Sequence, residues 1–272
     1  MELLALNKLT KDLKNSALTL SREEARSVVD LYYMTQGYRM ASGNQVDALE
    51  KAEEPHEFIS FVHENFAILE KNIHAALNKF SDAYEVGRWS KSICGIGPVI
   101  AAGLIANIDI EKATTAGKIW LFAGLDPTQK WEKGQKRPWN AALKTLCWKA
   151  GQCFMKVSNN ENDFYGKIYK EYKAYLQKKN EEGGYREQAA RILTEKKFRA
   201  GTTTKDAYQS GILPPAHIDA RARRKAVKIF LSHWQEVAWW ERFGTAPPAP
   251  WIIEHGGHRD YIPVPNWNRQ EK

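Results

Sequence analysis

A short glycine-rich turn at residues 95–97 is the segment whose residue types best suit contact with a phosphate. It consists of Gly95, Ile96 and Gly97, and Pro98 follows directly. Glycine allows a tight bend and close approach of a partner, while proline suits the first turn of a helix. The free amides and the dipole at that helix start favour an anion. The pattern predicts a helix-hairpin-helix whose residues Gly95, Ile96, Gly97 and Val99 contact a nucleic-acid backbone. The alternative is a glycine-rich connection between two buried helices without a ligand.

A basic segment rich in tryptophan follows the hairpin. Between Thr128 and Lys149 there are six basic residues and a single acidic one, Glu132. Basic side chains neutralise phosphates, and exposed indole rings can stack on unpaired bases. We therefore expect nucleic acid to contact Lys130, Trp131, Lys133, Lys136 and Arg137. The alternative is that the tryptophans pack in the core and the lysines are only solvated, and for Trp148 we favour that core position.

A second basic cluster lies further along the chain. At helical spacing, one face carries Arg221, Arg224, Lys225 and Lys228, and a different face carries the apolar series Ile218, Ala222, Ala226, Ile229, His233 and Val237. Such a two-faced helix can lie along a duplex or a folded RNA through its basic side. A merely solvated basic face is an equally good interpretation of the same spacing.

Residues typical of catalytic or metal sites do not form a convincing pattern. His255 and His258 have metal-like spacing but are separated by two glycines rather than placed on a helix, and no cysteine or acidic residue is patterned around them or around His217 and His233. Asp126 lies too far beyond the hairpin for the catalytic aspartate of a DNA glycosylase, and a turn with Pro127 explains it. We predict no catalytic residue, no metal site and no cofactor.

The elements that position the hairpin are predicted to be helices. Ser21 and Glu24 form a capping-box pair, and apolar residues at helical spacing continue from there to Gly43. A second helix is marked by the stripe Phe58, Val62, Phe66, Leu69, Ile73, Leu77 and Phe80, which is close to a coiled-coil seam. These N-terminal helices are expected to pack internally, or to join a second copy or another protein.

Composition sets the remaining limits. The chain has 272 residues and a net charge of +8, and its three cysteines cannot form a disulfide framework. Residues 1–88 carry 10 basic and 14 acidic side chains, whereas residues 89–272 carry 30 and 18, so the later part is suited to a polyanion. We find no secretory signal and no apolar run long enough for a membrane span, and expect a cytoplasmic protein, nucleoid-associated if it binds DNA.

The predicted fold class is mainly α, in four regions. Residues 1–88 form a helical assembly or packing region, and residues 89–160 form the helix-hairpin-helix domain. Residues 161–243 form a basic helical region. Residues 244–272 form an extended tail rich in proline and tryptophan.

From Gly95 to about Lys156 the sequence resembles the C-terminal domain of certain insertion-sequence transposases. These enzymes combine a RuvC-like DEDD domain with a serine nucleophile and are now known as bridge-RNA-guided recombinases. The resemblance is carried by Gly95-Ile-Gly-Pro98, Asn107-Ile-Asp109, Ala123-Gly-Leu-Asp-Pro127, Gly134-Gln-Lys-Arg137 and Asn140-Ala-Ala-Leu-Lys144. It implies a nucleic-acid partner, with DNA favoured over structured RNA.

The sequence departs from that family at the residues that perform its chemistry. The 94 residues before Gly95 lack the strand-borne Asp and Glu of a RuvC-like domain, and no serine lies between Pro127 and Lys144, where only Thr128 has a hydroxyl. We therefore expect a non-catalytic nucleic-acid-binding protein. The alternative is a recombinase or subunit whose active site a partner completes and which requires Mg²⁺.

Overall fold

The protein, seen in a computed structural model that describes residues 9–248 and 261–268, is mainly α. No strand occurs within those two ranges. Eleven α-helices are described there: α1 (Lys11–Ser16), α2 (Arg22–Lys51), α3 (Glu57–Asp82), α4 (Glu85–Ser92), α5 (Pro98–Asn107), α6 (Ala116–Phe122), α7 (Ala141–Val157), α8 (Tyr165–Glu181), α9 (Arg186–Glu195), α10 (Thr203–Gln209) and α11 (Pro215–Phe243). The predicted fold class is confirmed.

The long helix α2 begins as predicted but ends later. Glu24 N–H donates to Ser21 Oγ at 3.2 Å, and Ser21 N–H donates to Glu24 Oε2 at 2.7 Å, so the capping box is formed. The predicted end at Gly43 is wrong, because α2 continues to Lys51. A Cβ at Gly43 would lie 3.1 Å from the His63 ring, so this glycine allows close approach of α3 rather than ending the helix.

Helices α2 and α3 pack against each other along the predicted apolar stripe. The end of α3 nearest the rest of the protein is buried at Leu77 and Phe80. The far end is open to solvent, with Phe58 63% exposed and Leu69 37% exposed. Between the two ends, Arg39 of α2 forms an ion pair with Glu70 of α3 that links the two helices.

Helix α5 forms the centre of the fold. All of its residues from Val99 to Asn107 are buried, and α2, α3, α4 and α7 pack around it. A Cβ at Gly103 would meet Leu146 of α7 at 2.7 Å, so the small residue sets the close spacing of α5 and α7. Although α5 is apolar, no helix in the described ranges combines the length and hydropathy required to cross a bilayer.

Helix α11 packs on α4, α6, α7 and α8. The apolar series predicted from its sequence faces the protein, with Ile218, Ala222, Ala226, His233 and Val237 buried. Tyr165 of α8 donates its hydroxyl hydrogen bond to His233 Nδ1 at 2.7 Å, and His233 Nε2 donates to the Ile262 carbonyl at 2.9 Å. Burial lowers the pKa of His233 to about 4, so the ring is neutral at pH 7.

The described part of the C-terminal tail lies across the start of the hairpin. Trp89 Nε1 donates to the Pro265 carbonyl at 2.8 Å, and Asn266 Nδ2 donates to the Ser92 carbonyl at 2.9 Å. Residues 261–268 contain no helix or strand and include a turn at residues 265–266. Residues 249–260, which include His255 and His258, lie outside the described ranges.

Candidate nucleic-acid interface

The turn for which the sequence predicts a helix-hairpin-helix lies between α4 and α5. Helix α4 ends at Ser92 and α5 begins at Pro98. Gly95 has a φ of +88°, and a Cβ on it would lie 3.3 Å from Cys153 Cβ of α7. The left-handed backbone and the close approach both require glycine at this position, so the turn is fixed against α7.

The large side chains of the turn are buried, and open space is found at Gly97. The Ile96 and Val99 side chains are buried at 4% and 7% exposure, and the Ile96 amide already donates to the Ile93 carbonyl at 3.0 Å. Gly97, by contrast, has no atom within 4 Å of its Cβ position. No acceptor among the described residues pairs with the amides of Gly97, Val99 or Ile100. These amides are the ones available to an anion.

Lysines lie on both sides of the turn. Lys91 and Lys167 line a groove of about 820 Å³ on one side, and Lys149 and Lys156 line a groove of about 700 Å³ on the other. Lys91 is neutralised by an ion pair with Asp82, whereas Lys156 is exposed. The groove lined by Lys149 and Lys156 therefore has more positive charge available to an anion.

The basic loop at residues 128–137 lies at the other end of α5. Asn140 Nδ2 donates to Oδ1 of Asn107, the last residue of α5, at 3.4 Å. A helix of ten residues is about 15 Å long, so Asn140, which follows the loop, is separated from the hairpin turn by roughly that distance. Lys130, Lys133, Lys136 and Arg137 are exposed there. The structure thus divides the predicted contacts into two groups rather than gathering them around the turn.

Helix α11 brings its predicted basic residues to the loop group. We call the residues Arg137, Lys144, Arg221, Arg224, Lys225 and Lys228 the basic surface. Burial, followed by the charges of Arg224 and Arg137, lowers the pKa of Lys144. Burial also lowers the pKa of Lys228, with Arg224 and Lys225 adding to the effect and Asp126 opposing it. The cations are therefore close enough to repel one another.

Aromatic rings lie beneath most of these cations. Lys144 Nζ is 3.7 Å from the ring centre of Trp139, Lys228 Nζ is 4.8 Å from that of Trp120, and Arg137 Cζ is 5.2 Å from that of Trp131. Arg221 and Lys225 lie over Tyr185 and Tyr172 at 4.9 Å and 5.9 Å. Aromatic rings hold the cations in place but, unlike carboxylates, do not neutralise their charge.

The hairpin and the helices that follow it correspond to a known protein family. Residues 90–166 match the family model described as Transposase IS116/IS110/IS902 family. The match begins in α4 and ends in the first turn of α8, so it includes the hairpin, the basic loop and α7 but not α11. Comparison with curated proteins and comparison with solved structures gave no significant match. The central segment is thus similar to the domain that this transposase family model describes.

Within the segment that matches the family model, Asp126 and Thr128 form a local turn. Thr128 Oγ1–H and Thr128 N–H both donate to Asp126 Oδ1 at 2.8 Å. These bonds lower the pKa of Asp126, since they stabilise the charged carboxylate. No group of three histidine, cysteine or acidic side chains in the described ranges is placed to hold a metal ion.

Sequence reasoning missed one exposed residue of the same segment. Trp148 was expected in the core, and that prediction is wrong, because its side chain is 60% exposed. The buried face of α7 consists of Leu143, Leu146, Cys147, Ala150 and Phe154. Its helical neighbours at a spacing of four are Lys144 and Gln152, both polar. This spacing was the available signal that Trp148 faces solvent.

Proposed function

We propose that this protein binds nucleic acid, DNA in the first place, by contacting the phosphate backbone through the hairpin turn and the basic surface. The observation that carries the proposal is the set of cations Arg137, Lys144 and Lys228 lying over the rings of Trp131, Trp139 and Trp120 on one surface. Arg224 and Arg137 also lower the pKa of Lys144, after burial, so like charges lie close together there. A polyanion bound there replaces repulsion by attraction and releases its own counterions, which is the main source of affinity for nucleic acid.

The geometry supports contacts at two places on one ligand. The hairpin amides and Asn140, at the end of the basic loop, lie at opposite ends of α5, roughly 15 Å apart. Successive phosphates of a DNA strand rise about 3.4 Å along the axis, so this distance corresponds to roughly four nucleotides. Contacts of this kind position a duplex or a folded RNA but do not read its sequence. We therefore expect affinity with little sequence preference.

The match to a transposase family favours a second candidate function, phosphodiester strand transfer. Thr128 supplies the hydroxyl in the region after Gly124-Leu125, and it already donates its hydrogen bond to Asp126. A nucleophile of this kind requires a base and a metal ion, which in this candidate come from a partner.

An exposed apolar stripe of the α2–α3 pair is proposed as an assembly surface for a second copy or another protein. Leu31, Met34 and Tyr38 follow one stripe of α2 and are each more than half exposed, as is Phe58 of α3. Exposed apolar residues along two paired helices are typical of helical association. Light scattering of the wild-type protein and of a Met34→Glu variant tests this proposal, since the charge lowers the measured mass if copies meet there.

The test of the main proposal compares ligands at two salt concentrations. Single-stranded DNA, duplex DNA, a four-way junction and a hairpin RNA are titrated with the full chain in gel shifts. The proposal predicts binding that weakens steeply as salt is raised. Binding to no ligand at low salt contradicts it. A parallel incubation with Mg²⁺ separates the two candidate functions, because cleaved or joined strands are expected only of the recombinase.

A further inference from the structure

Trp148 is a large apolar side chain on a surface that is otherwise cationic. At 60% exposure it is, with Trp131, one of two tryptophans in the described ranges that are exposed. Helix α7 also presents Lys144, Lys149 and Lys156 and contains no acidic residue. Trp148 therefore lies between the basic surface, which includes Lys144, and the lysines beside the hairpin.

The surroundings of Trp148 form an open groove next to the hairpin turn. The groove has a volume of about 700 Å³ and is lined by Gly97, Tyr33, Trp148, Lys149, Gln152 and Lys156, among others. Lys149 Nζ lies 3.8 Å from the ring centre of Tyr33. No carboxylate is among the lining residues that the structure describes. The groove thus combines an uncovered indole, two ammonium groups and the amide group of Gln152.

These features select one kind of occupant. An apolar protein segment would cover the indole but leave Lys149 and Lys156 without compensation, while an intact duplex offers phosphates but keeps its base faces stacked inside. An unpaired nucleotide offers both a phosphate for the lysines and a flat base for the indole.

We infer that this groove binds an unpaired nucleotide, whose base stacks on Trp148 and whose phosphate is held by Lys149 and Lys156. The inference rests on the proposed nucleic-acid binding and adds the class of ligand. Trp148 then makes the protein favour single-stranded or distorted nucleic acid over a continuous duplex.

The experiment measures the affinity of the full chain for three probes. These are a short mixed-sequence DNA strand, its perfect duplex, and the same strand carrying abasic sites in place of all bases. The variants are Trp148→Leu, which keeps apolar bulk, and Trp148→Phe, which keeps a ring. Phe243→Leu removes an exposed aromatic side chain (42%) from the end of α11, outside both proposed surfaces, and serves as the control. Because Trp148 is exposed, we expect every variant to fold, and thermal unfolding verifies it.

The expected result is a loss of single-strand affinity in Trp148→Leu of between about 5-fold and 150-fold, the range for one base–aromatic stack. Trp148→Phe retains most of the affinity, Phe243→Leu retains all of it, and duplex and abasic affinities do not change. If Trp148→Leu binds the base-bearing strand as tightly as wild type, the inference is overturned while nucleic-acid binding stands. A uniform loss on all three probes, or a change of oligomeric state, also overturns it. If wild type binds no probe, the proposed function itself fails.

Discussion

Neutralising three exposed cations of the basic loop should flatten the salt dependence of binding. The variant combines Lys133→Gln, Lys136→Gln and Arg137→Gln, all at exposed positions. Each phosphate contact contributes about 0.9 to the slope of log affinity against log salt concentration. If all three residues contact phosphates, the slope becomes shallower by up to about 2.7. With the affinity at 1 M salt unchanged, binding at 0.1 M weakens by up to about 500-fold.

The assay is a set of duplex titrations at several salt concentrations, repeated with two unrelated sequences. A control variant, Lys11→Gln with Lys51→Gln and Lys71→Gln, removes the same charge from exposed positions of the N-terminal helices. Losses in the loop variant should be equal for both sequences, because phosphate contacts do not depend on sequence. An unchanged slope, an equal change in the control variant, or a loss for one sequence only would refute the assignment.

Three further predictions concern the fold around the interface. Gly95→Ala should destabilise the protein by about 1–2 kcal/mol in chemical denaturation, because φ is +88° there, whereas Gly97→Ala, at φ −96° with open space around it, should not. The folded-state pKa of His233 is about 4, below its ordinary 6.5. As the pH falls, the unfolded state therefore takes up the proton first. Stability that is present above pH 6.5 is lost as the pH falls toward 4. The difference should amount to about 1.4 kcal/mol per pH unit in that window relative to His233→Gln, and equal slopes for the two proteins would show that His233 is not responsible. Trp267→Phe removes the indole donor that bonds Glu85 at 2.9 Å and should lower stability by about 1–2 kcal/mol, which an unchanged unfolding midpoint would contradict.

The local elements could be predicted because their signals lie within a few residues. The capping box at Ser21, the turn at Gly95 and the proline that starts α5 each depend on neighbours in sequence, and all three are present in the structure. The end of α2 was not predictable in this way. Gly43 allows the close approach of the His63 ring, and His63 is twenty residues away in the sequence and on another helix.

The arrangement of the interface required the tertiary structure. The hairpin turn and the basic loop are separated by the length of α5, a distance that composition does not encode. The approach of Arg224 to Lys144 likewise depends on the packing of α11 against α7. Trp148 was misplaced because large aromatic residues are buried on average, although its polar neighbours Lys144 and Gln152 indicated the opposite.

Hydrogen exchange with and without a nucleic-acid ligand tests most directly whether the hairpin amides and the basic surface bind the phosphate backbone. The account predicts slower exchange of the Gly97, Val99 and Ile100 amides, which have no acceptor among the described residues, and of the loop at residues 128–137. The outer half of α2 and α3, from residue 40 to residue 65, should exchange as in the free protein. Protection confined to α2 and α3, with the hairpin amides unchanged, would contradict it.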